Sequence, residues 1–360
     1  MADHTALHDV AARAGAVFAL EHGWLVPVHF GDPAREYSYA CDRAALFDRS
    51  HHGKVELTGA DAARFLHNLC TNDILRLAAD AGCEAFLTTG QGRVVAHACV
   101  SRQATPDGRE ALWLDVGPGM GDKVVQHLNR YIISEQVEVA DRTREFAQLH
   151  LAGPHAQAVL QRAGLAGADK LQDLHQLEHA LPNGGRCAIR HHDALGVPGY
   201  DIVCPASHAA SLWATLGEAG ALPAGAQAYE ILRIEAATPQ NGVDIDETTL
   251  PQELGRTERA VSFTKGCYIG QETIARIRTY GHVNRSLVRL AVAGDAAVPP
   301  GSKLYRDGKE VGTVTSSARS PRSAGTVALA YVRRGNQEAG TPLELDAGGS
   351  RRDAEVLPAP

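Results

Sequence analysis

The densest group of chemistry-bearing residues is Lys265-Gly-Cys-Tyr-Ile-Gly-Gln-Glu272, followed by Thr273-Ile-Ala-Arg-Ile-Arg278. Gly270 ahead of Gln-Glu-Thr and an Ile/Ala/Ile pattern predicts a turn that opens a helix, whose first unpaired N–H groups point back toward Cys267. A thiol beside those partial charges and two residues from a lysine is set up to react, so Cys267 is the expected functional thiol and Lys265 its activator. The other six cysteines, at 41, 70, 83, 99, 187 and 204, form no C-x-x-C pair and no zinc spacing. An odd total argues against a disulfide framework, and these six read mostly as buried free thiols. The pairs His51-His52 and His191-His192 have adjacent rather than same-face spacing, poor for holding one ion, and no permanent metal site is expected.

The elements that must position these residues are legible in outline. Lys54-Val-Glu-Leu-Thr58 alternates as a strand, passes through Gly59, and shifts to helical spacing with Phe65, Leu66 and Leu69 on one face, Thr58 being the expected N-cap. The same grammar recurs at Ala147-Gln-Leu-His-Leu-Ala-Gly-Pro154, where Val159 and Leu160 pack inward. Two strand-glycine-helix units about 95 residues apart imply two related modules. Strands are expected at 111–116 and 200–204, and helices at about 120–131, 207–217 and 226–236. Without the long Val/Ile runs of a parallel sheet, the fold class is α+β, with antiparallel sheets carrying helices on one face. After Arg278, short apolar runs (287–292, 311–315, 326–332) lie between turn clusters, which predicts a small all-β barrel. Gly117-Pro-Gly-Met-Gly121 lacks the Lys-Ser/Thr of a phosphate loop and reads as a turn before a helix.

Composition narrows the class. At 360 residues the chain is long enough for two or three packed units. No apolar run reaches the ~18 residues of a membrane span, and the first residues lack the order of a signal peptide, so a cytoplasmic protein without membrane contact is expected. The net charge of −7 hides an asymmetry, since residues 276–334 hold eleven Lys/Arg against three Asp/Glu. That segment suits a polyanion, nucleic acid included, although few aromatics are interleaved with it.

Leu250-Pro-Gln-Glu253, Ser262-Phe-Thr-Lys-Gly-Cys-Tyr-Ile-Gly-Gln-Glu272, Ala275-Arg276, Gly281 and Arg285-Ser-Leu287 together resemble the signature of the YgfZ family of folate-binding proteins of iron–sulfur cluster maintenance. The N-terminal half is more similar to its relative, the aminomethyltransferase (T-protein) of the glycine cleavage system, through Gly23-Trp-Leu-Val-Pro27, the stretch Ala45–Gly59 and Thr71-Asn-Asp73. The resemblance implies two ferredoxin-like modules and a C-terminal β-barrel. The expected division is residues 1–56 with 145–284 as the folate-binding module, 57–144 as the second module, and 285–360 as the barrel.

It also implies tetrahydrofolate, or a one-carbon derivative, in a central channel. The L-R-x-E helix of T-proteins is matched at Leu232-Arg233-Ile-Glu235. A cation there suits the folate carboxylates, and a carboxylate can accept from the pterin amino and ring N–H groups. Tyr229 falls where the YgfZ branch has a folate-contacting aromatic. Asp201 stands in for the carboxylate of G-[FY]-E, and His52 lies where a pteridine-contacting side chain follows the S-H element. The acidic pair that T-proteins use to activate folate N5 is replaced by Ala96 and His97, and neither can act as that carboxylate. The reading that follows is a folate-binding protein supporting iron–sulfur enzymes or their assembly proteins, with Cys267 as its thiol. The alternative is a folate-dependent aminomethyltransferase or demethylase of the T-protein type.

Overall fold

The computed structural model describes residues 2–104, 110–181, 184–323 and 325–360. The two repeated units lie in two separate antiparallel sheets. The first sheet runs Gln176–Ala180, Arg186–His191, Gly199–Pro205, Phe146–Ala152, Ala45–Asp48, with the short strand Leu222–Pro223 added parallel at its edge. The second runs Gly82–Thr88, Val94–Ala104, Glu110–Pro118, His52–Thr58, Glu138–Asp141.

In each unit the strand ends on a glycine that turns the chain into a helix, Gly59 (φ 112°) before Ala62–Leu69 and Gly153 (φ 130°) before Ala156–Arg162. A Cβ at Gly59 would overlap the carbonyl oxygen of Gln136, and one at Gly153 that of Arg43, so only glycine passes both turns. Thr58 closes its strand and is not the N-cap; Asp61 holds that position, and its carboxylate accepts from Gln136 N at 2.8 Å.

Strand periodicity then separates two faces. The outer face of the first sheet buries Leu149, Leu151, Ile189 and Ile202 against Val159, Leu160, Leu212 and Leu216 of its helices. The outer face of the second buries Val55, Leu57, Leu112 and Leu114 against Phe65, Leu66, Val124 and Leu128. Each large side chain so buried contributes about 1.5–3 kcal/mol, which holds each module together on its own side.

The inner faces are polar and meet. Register aligns Glu84, Cys99, Asp115 and Lys54 across four strands of the second sheet. Opposite them, Arg190, Asp201, His150 and Phe47 align across the first. A layer of this kind gains little from the hydrophobic effect, so its cohesion rests on hydrogen bonds and ion pairs.

The helix Ala226–Glu235 packs Ala228, Ile231, Leu232 and Ile234 between the first sheet and the barrel, where it meets Val327 and Leu329. The barrel is closed and six-stranded, in the order Arg285–Val292, Gly325–Arg333, Lys309–Ser320, Lys303–Arg306, Pro342–Asp346, Arg351–Val356. The expected α+β class and the C-terminal barrel are thus what the chain forms.

Two features differ from expectation. Asp3–His4, Trp24–His29 and Val17–Glu21 make a three-stranded sheet that no periodicity announced, because its strands are short and half-exposed. The expected crossing between modules at 56/57 falls inside the strand His52–Thr58, all of which pairs in the second sheet, so the chain changes sheets at 49–51. Among the described residues no helix is long and apolar enough to cross a membrane.

Candidate functional site

Two cavities open between the inner faces, of about 590 and about 100 Å³, and they share Asp115, Gln148 and Asp201 as a common wall. That wall is built by register. Asp115 interrupts the apolar strand Ala111-Leu-Trp-Leu-Asp-Val116, and Asp201 sits opposite His150 and Arg190 on its two neighbours. Arg190 Nη2 bridges the modules, donating to Asp115 Oδ2 at 2.5 Å and to Asp201 Oδ2 at 2.6 Å. Asp201 is further met by His150 Nδ1 at 2.8 Å and His192 Nδ1 at 2.7 Å, and Gln148 Nε2 donates to Asp115 at 2.7 Å.

The electrostatics follow from this crowding. Burial alone would raise the Asp201 carboxyl, but Arg190 and His192 outweigh it and hold the group well below the usual carboxylate range. Asp115 is held down in the same way, by His52 and Arg190 against burial. Burial would lower His192, yet the Cys99 thiol and Asp201 raise it well above its ordinary value. Burial and then Arg49 push His52 down to about 3, so near neutrality its ring is uncharged and Nε2 accepts from Arg49 Nη2. Burial likewise draws Lys54 down to about 8. Its ammonium donates to the carbonyls of Ser50 at 3.1 Å and His52 at 2.8 Å.

Of the residues picked from the sequence, Asp201, His52 and Tyr229 come together on the smaller cavity. The Tyr229 ring is covered by the Arg49 guanidinium at 3.8 Å. Arg233 borders the same cavity but is not available to a ligand carboxylate. Its five N–H groups go to Glu230 (2.6 and 2.5 Å), Thr238 O (3.1 Å), Asp244 (2.7 Å) and Ser316 (2.8 Å). Glu235 lies elsewhere, on the barrel side of its helix, accepting from Tyr37 at 2.9 Å and Ser320 at 2.5 Å.

The thiol expectation changes most. The helix Gln271–Tyr280 forms behind Gly270 as expected, and Cys267 is exposed. Cys267 lines neither cavity. Lys265 is buried and caps the end of helix Ala62–Leu69, donating to the carbonyls of Cys70 at 2.7 Å, Asn72 at 2.8 Å and His67. With its donors spent there, Lys265 is a structural cap and not the activator of Cys267.

Several residues escaped notice in the sequence. Asp115, Arg190 and His150 each interrupt an apolar strand, a pattern that on one sheet alone reads as a solvated face. Glu84 is 1% exposed and receives Arg256 (2.7 and 2.6 Å), Arg259 (2.5 Å) and His97 (2.9 Å). Burial would raise its carboxyl, but the bonds from His97 and Arg256 hold it far below its ordinary range. Ala96, by contrast, packs into the apolar cluster of the second module. The basic segment 276–334 is not one surface. Arg285 pairs with Glu253 at 3.1 Å, Arg289 donates to the carbonyls of Glu235 and Pro358, and Arg278 lies over Phe263 at 3.8 Å.

Spare capacity marks the cavity wall. Among the described residues, Asp115 Oδ1 has only His52 within reach, at 3.8 Å, while Gln148 Oε1 and Arg190 Nε are buried without partners.

Residues 7–265 match the GCVT N-terminal domain, and residues 285–360 match the glycine cleavage T-protein C-terminal barrel domain. The chain is 30% identical to an aminomethyltransferase of Desulfitobacterium hafniense, covering 99% of this chain and 96% of that one. It is 31% identical to an aminomethyltransferase of Rubrobacter xylanophilus, covering 91% and 86%. A chloroplastic putative transferase of Arabidopsis thaliana is 30% identical, covering 92% and 74%. In fold, the chain superposes on the glycine cleavage system aminomethyltransferase T of Bartonella henselae with a TM-score of 0.90, at 24% identity and covering 100% and 98% of the two chains. These relatives overturn the expected role in iron–sulfur cluster maintenance, because full-length likeness is to transferases. That expectation leaned on an eight-residue block, and the block's lysine serves a helix end.

Proposed function

The chain belongs to the glycine cleavage T-protein family, and on that premise we propose that it is a tetrahydrofolate-dependent one-carbon transferase of the aminomethyltransferase type, taking the pterin between its two sheets. The observation that carries this reading is the unused acceptor capacity of the wall shared by the two cavities: Gln148 Oε1 is buried without a donor, and Asp115 Oδ1 has only His52 near it, at 3.8 Å. Buried acceptors without donors are costly, and a pterin brings amino and ring N–H donors to satisfy them. Folate, when bound, supplies the nucleophilic nitrogen that receives the one-carbon unit.

The chain's own residues do the rest. Tyr229 offers a flat face once the Arg49 guanidinium moves off it, and Arg49 has donors to spare for a carbonyl or carboxylate. Uncharged His52 and the Arg190 bridge hold Asp115 in place. Asp115 Oδ1, kept as a carboxylate oxygen by His52 and Arg190, is the acceptor that a ligand N–H group can meet in this cavity. Asp201, His150 and His192 orient that wall without facing the ligand through a spare oxygen. We take the working units to be 1–51 with 143–284, 52–142, and 285–360. Within the family, the Lys265–Glu272 block supports placing the chain beside the YgfZ branch.

The test is an equilibrium titration of the full chain with tetrahydrofolate, followed by an assay for methylene transfer from an aminomethyl-bearing carrier. Saturable binding with turnover is expected. No binding at millimolar folate would overturn the reading.

A further inference from the structure

Cys99, which lines the smaller cavity, faces an imidazole–carboxylate pair contributed by the opposite sheet. Its Sγ lies 4.0 Å from His192 Nε2, and His192 Nδ1 lies 2.7 Å from Asp201 Oδ2. Asp201 is itself fixed by Arg190 at 2.6 Å and His150 at 2.8 Å, so the imidazole is held in one orientation. A thiol, an imidazole within reach of its proton, and a carboxylate orienting that imidazole form the arrangement that makes a cysteine nucleophilic.

We propose that Cys99, with His192 as its proton acceptor and Asp201 as the positioning residue, is a second reactive centre of this protein that captures a small aldehyde as a reversible thiohemiacetal. The pair reacts in the state that holds one proton between Sγ and Nε2: with that proton on Nε2, a sulfur lone pair forms the C–S bond to the carbonyl carbon. The carbonyl π pair moves to oxygen, which takes the proton back from Nε2. Thiol and aldehyde are consumed one for one, with no oxidant or reductant.

The wall is ready for a polar guest, since Gln148 Oε1, on a residue 3% exposed, has no partner among the described residues. The choice of electrophile rests on the one-carbon reading above; the reactivity of the thiol does not.

The experiment is peptide-resolved alkylation of the intact, full-length chain with iodoacetamide at neutral pH, with and without formaldehyde. Cys99 should label at least about tenfold faster than Cys41, because a positioned base adds that much or more. Cys41 is a stringent reference, half-buried and 3.6 Å from an Arg322 nitrogen, but without an imidazole. Formaldehyde should protect Cys99 reversibly on dilution, and His192→Gln should bring the Cys99 rate down to that of Cys41. Equal rates at Cys99 and Cys41, absent formaldehyde protection, or an unchanged rate in folded His192→Gln would each overturn the proposal. The wild-type rates and the protection need no variant, so they decide the matter even if His192→Gln does not fold. Folate titration is read separately. Protection without folate binding would leave the thiol centre and remove the transferase reading, and folate turnover with an inert Cys99 would do the reverse.

Discussion

Arg190 and Arg233 are both buried guanidinium groups that join two units of the molecule, and they are wired differently. Arg233 ties the helix Ala226–Glu235 to the barrel through Ser316 and to the following loop through Asp244 and Thr238, with every N–H group used. Its partner Asp244 is also filled, by Ser316 and Thr315 at 2.5 Å each and Gln240 N at 3.0 Å. Arg190 ties the two sheets, yet its Nε is unpartnered among the described residues and its partner Asp115 keeps a free oxygen. A saturated cluster is a pin, because a ligand could bind it only by breaking bonds already made. An unsaturated one beside a cavity has unmet hydrogen bonds that a ligand can satisfy.

The strongest way to break this contrast is to remove the pin. Arg233→Ala leaves Asp244 buried without its counter-ion and should cost on the order of 3–5 kcal/mol of stability, read as a lower urea midpoint. The loss should include loosened docking of the barrel on the helix. A variant as stable as the parent, with weakened folate binding instead, would move Arg233 from the pin to the site.

Acid tests the unsaturated wall next. His52 has a folded value of about 3, below the ~6.5 of the unfolded chain, so unfolding takes up a proton once the pH falls below about 6.5. Stability should therefore decline by a few kcal/mol between about pH 6.5 and 3, with His127, at about 4, contributing over part of that range. The depressed carboxyls Asp115, Asp201 and Glu84 add a second loss, starting below about pH 4 and growing as the pH falls toward their folded values. His192 runs the other way: raised in the folded state, its contribution is fully present in acid and is lost as pH rises through its folded value. Urea midpoints from pH 7 to 3 measure the sum, and His52→Gln should flatten the upper part of the curve. An unchanged slope in that variant would assign the loss to other groups.

At the site itself a smaller effect is expected, in binding and not in folding. Asp115→Asn keeps the side chain's shape while removing its charge, and should weaken tetrahydrofolate binding by about 1–3 kcal/mol. Binding unchanged in Asp115→Asn would say that the spare oxygen serves no ligand.

What could be read in advance followed from locality. The repeat, its two turn glycines, the helix behind Gly270 and the barrel strands are written in neighbouring residues, where period and turn chemistry act directly. The inner wall is not. Asp115, Arg190, Asp201 and Cys99 lie far apart in the chain and meet only because two polar sheet faces close on each other. A polar residue in an apolar strand looks the same whether its face meets water or a second sheet. Arg233 and Glu235 are a related case: the helix motif names them but not their partners, and both are spent on the protein itself, Arg233 on Ser316 and Asp244 and Glu235 on Ser320 and Tyr37.

The smallest expected effect concerns the segment that stood out most. Lys265 reads as the partner of Cys267 from spacing alone, but its ammonium is turned inward onto three carbonyls at the end of helix Ala62–Leu69, with the Tyr268 ring 4.8 Å away. Backbone carbonyls at a helix C-terminus are the partial negative end of the helix, so a buried cation there is well placed for stability. Lys265→Met should therefore lower stability by about 1–3 kcal/mol, through carbonyls left unmet, and leave the alkylation rate of exposed Cys267 unchanged within error. The rate is read on the Cys267 peptide at neutral pH, under conditions where both chains are folded. If labelling of Cys267 slows several-fold in a folded Lys265→Met chain, the lysine does act on the thiol. The saturated cap would then have failed to behave as a pin, and saturation would no longer separate structural clusters from reactive ones in this protein.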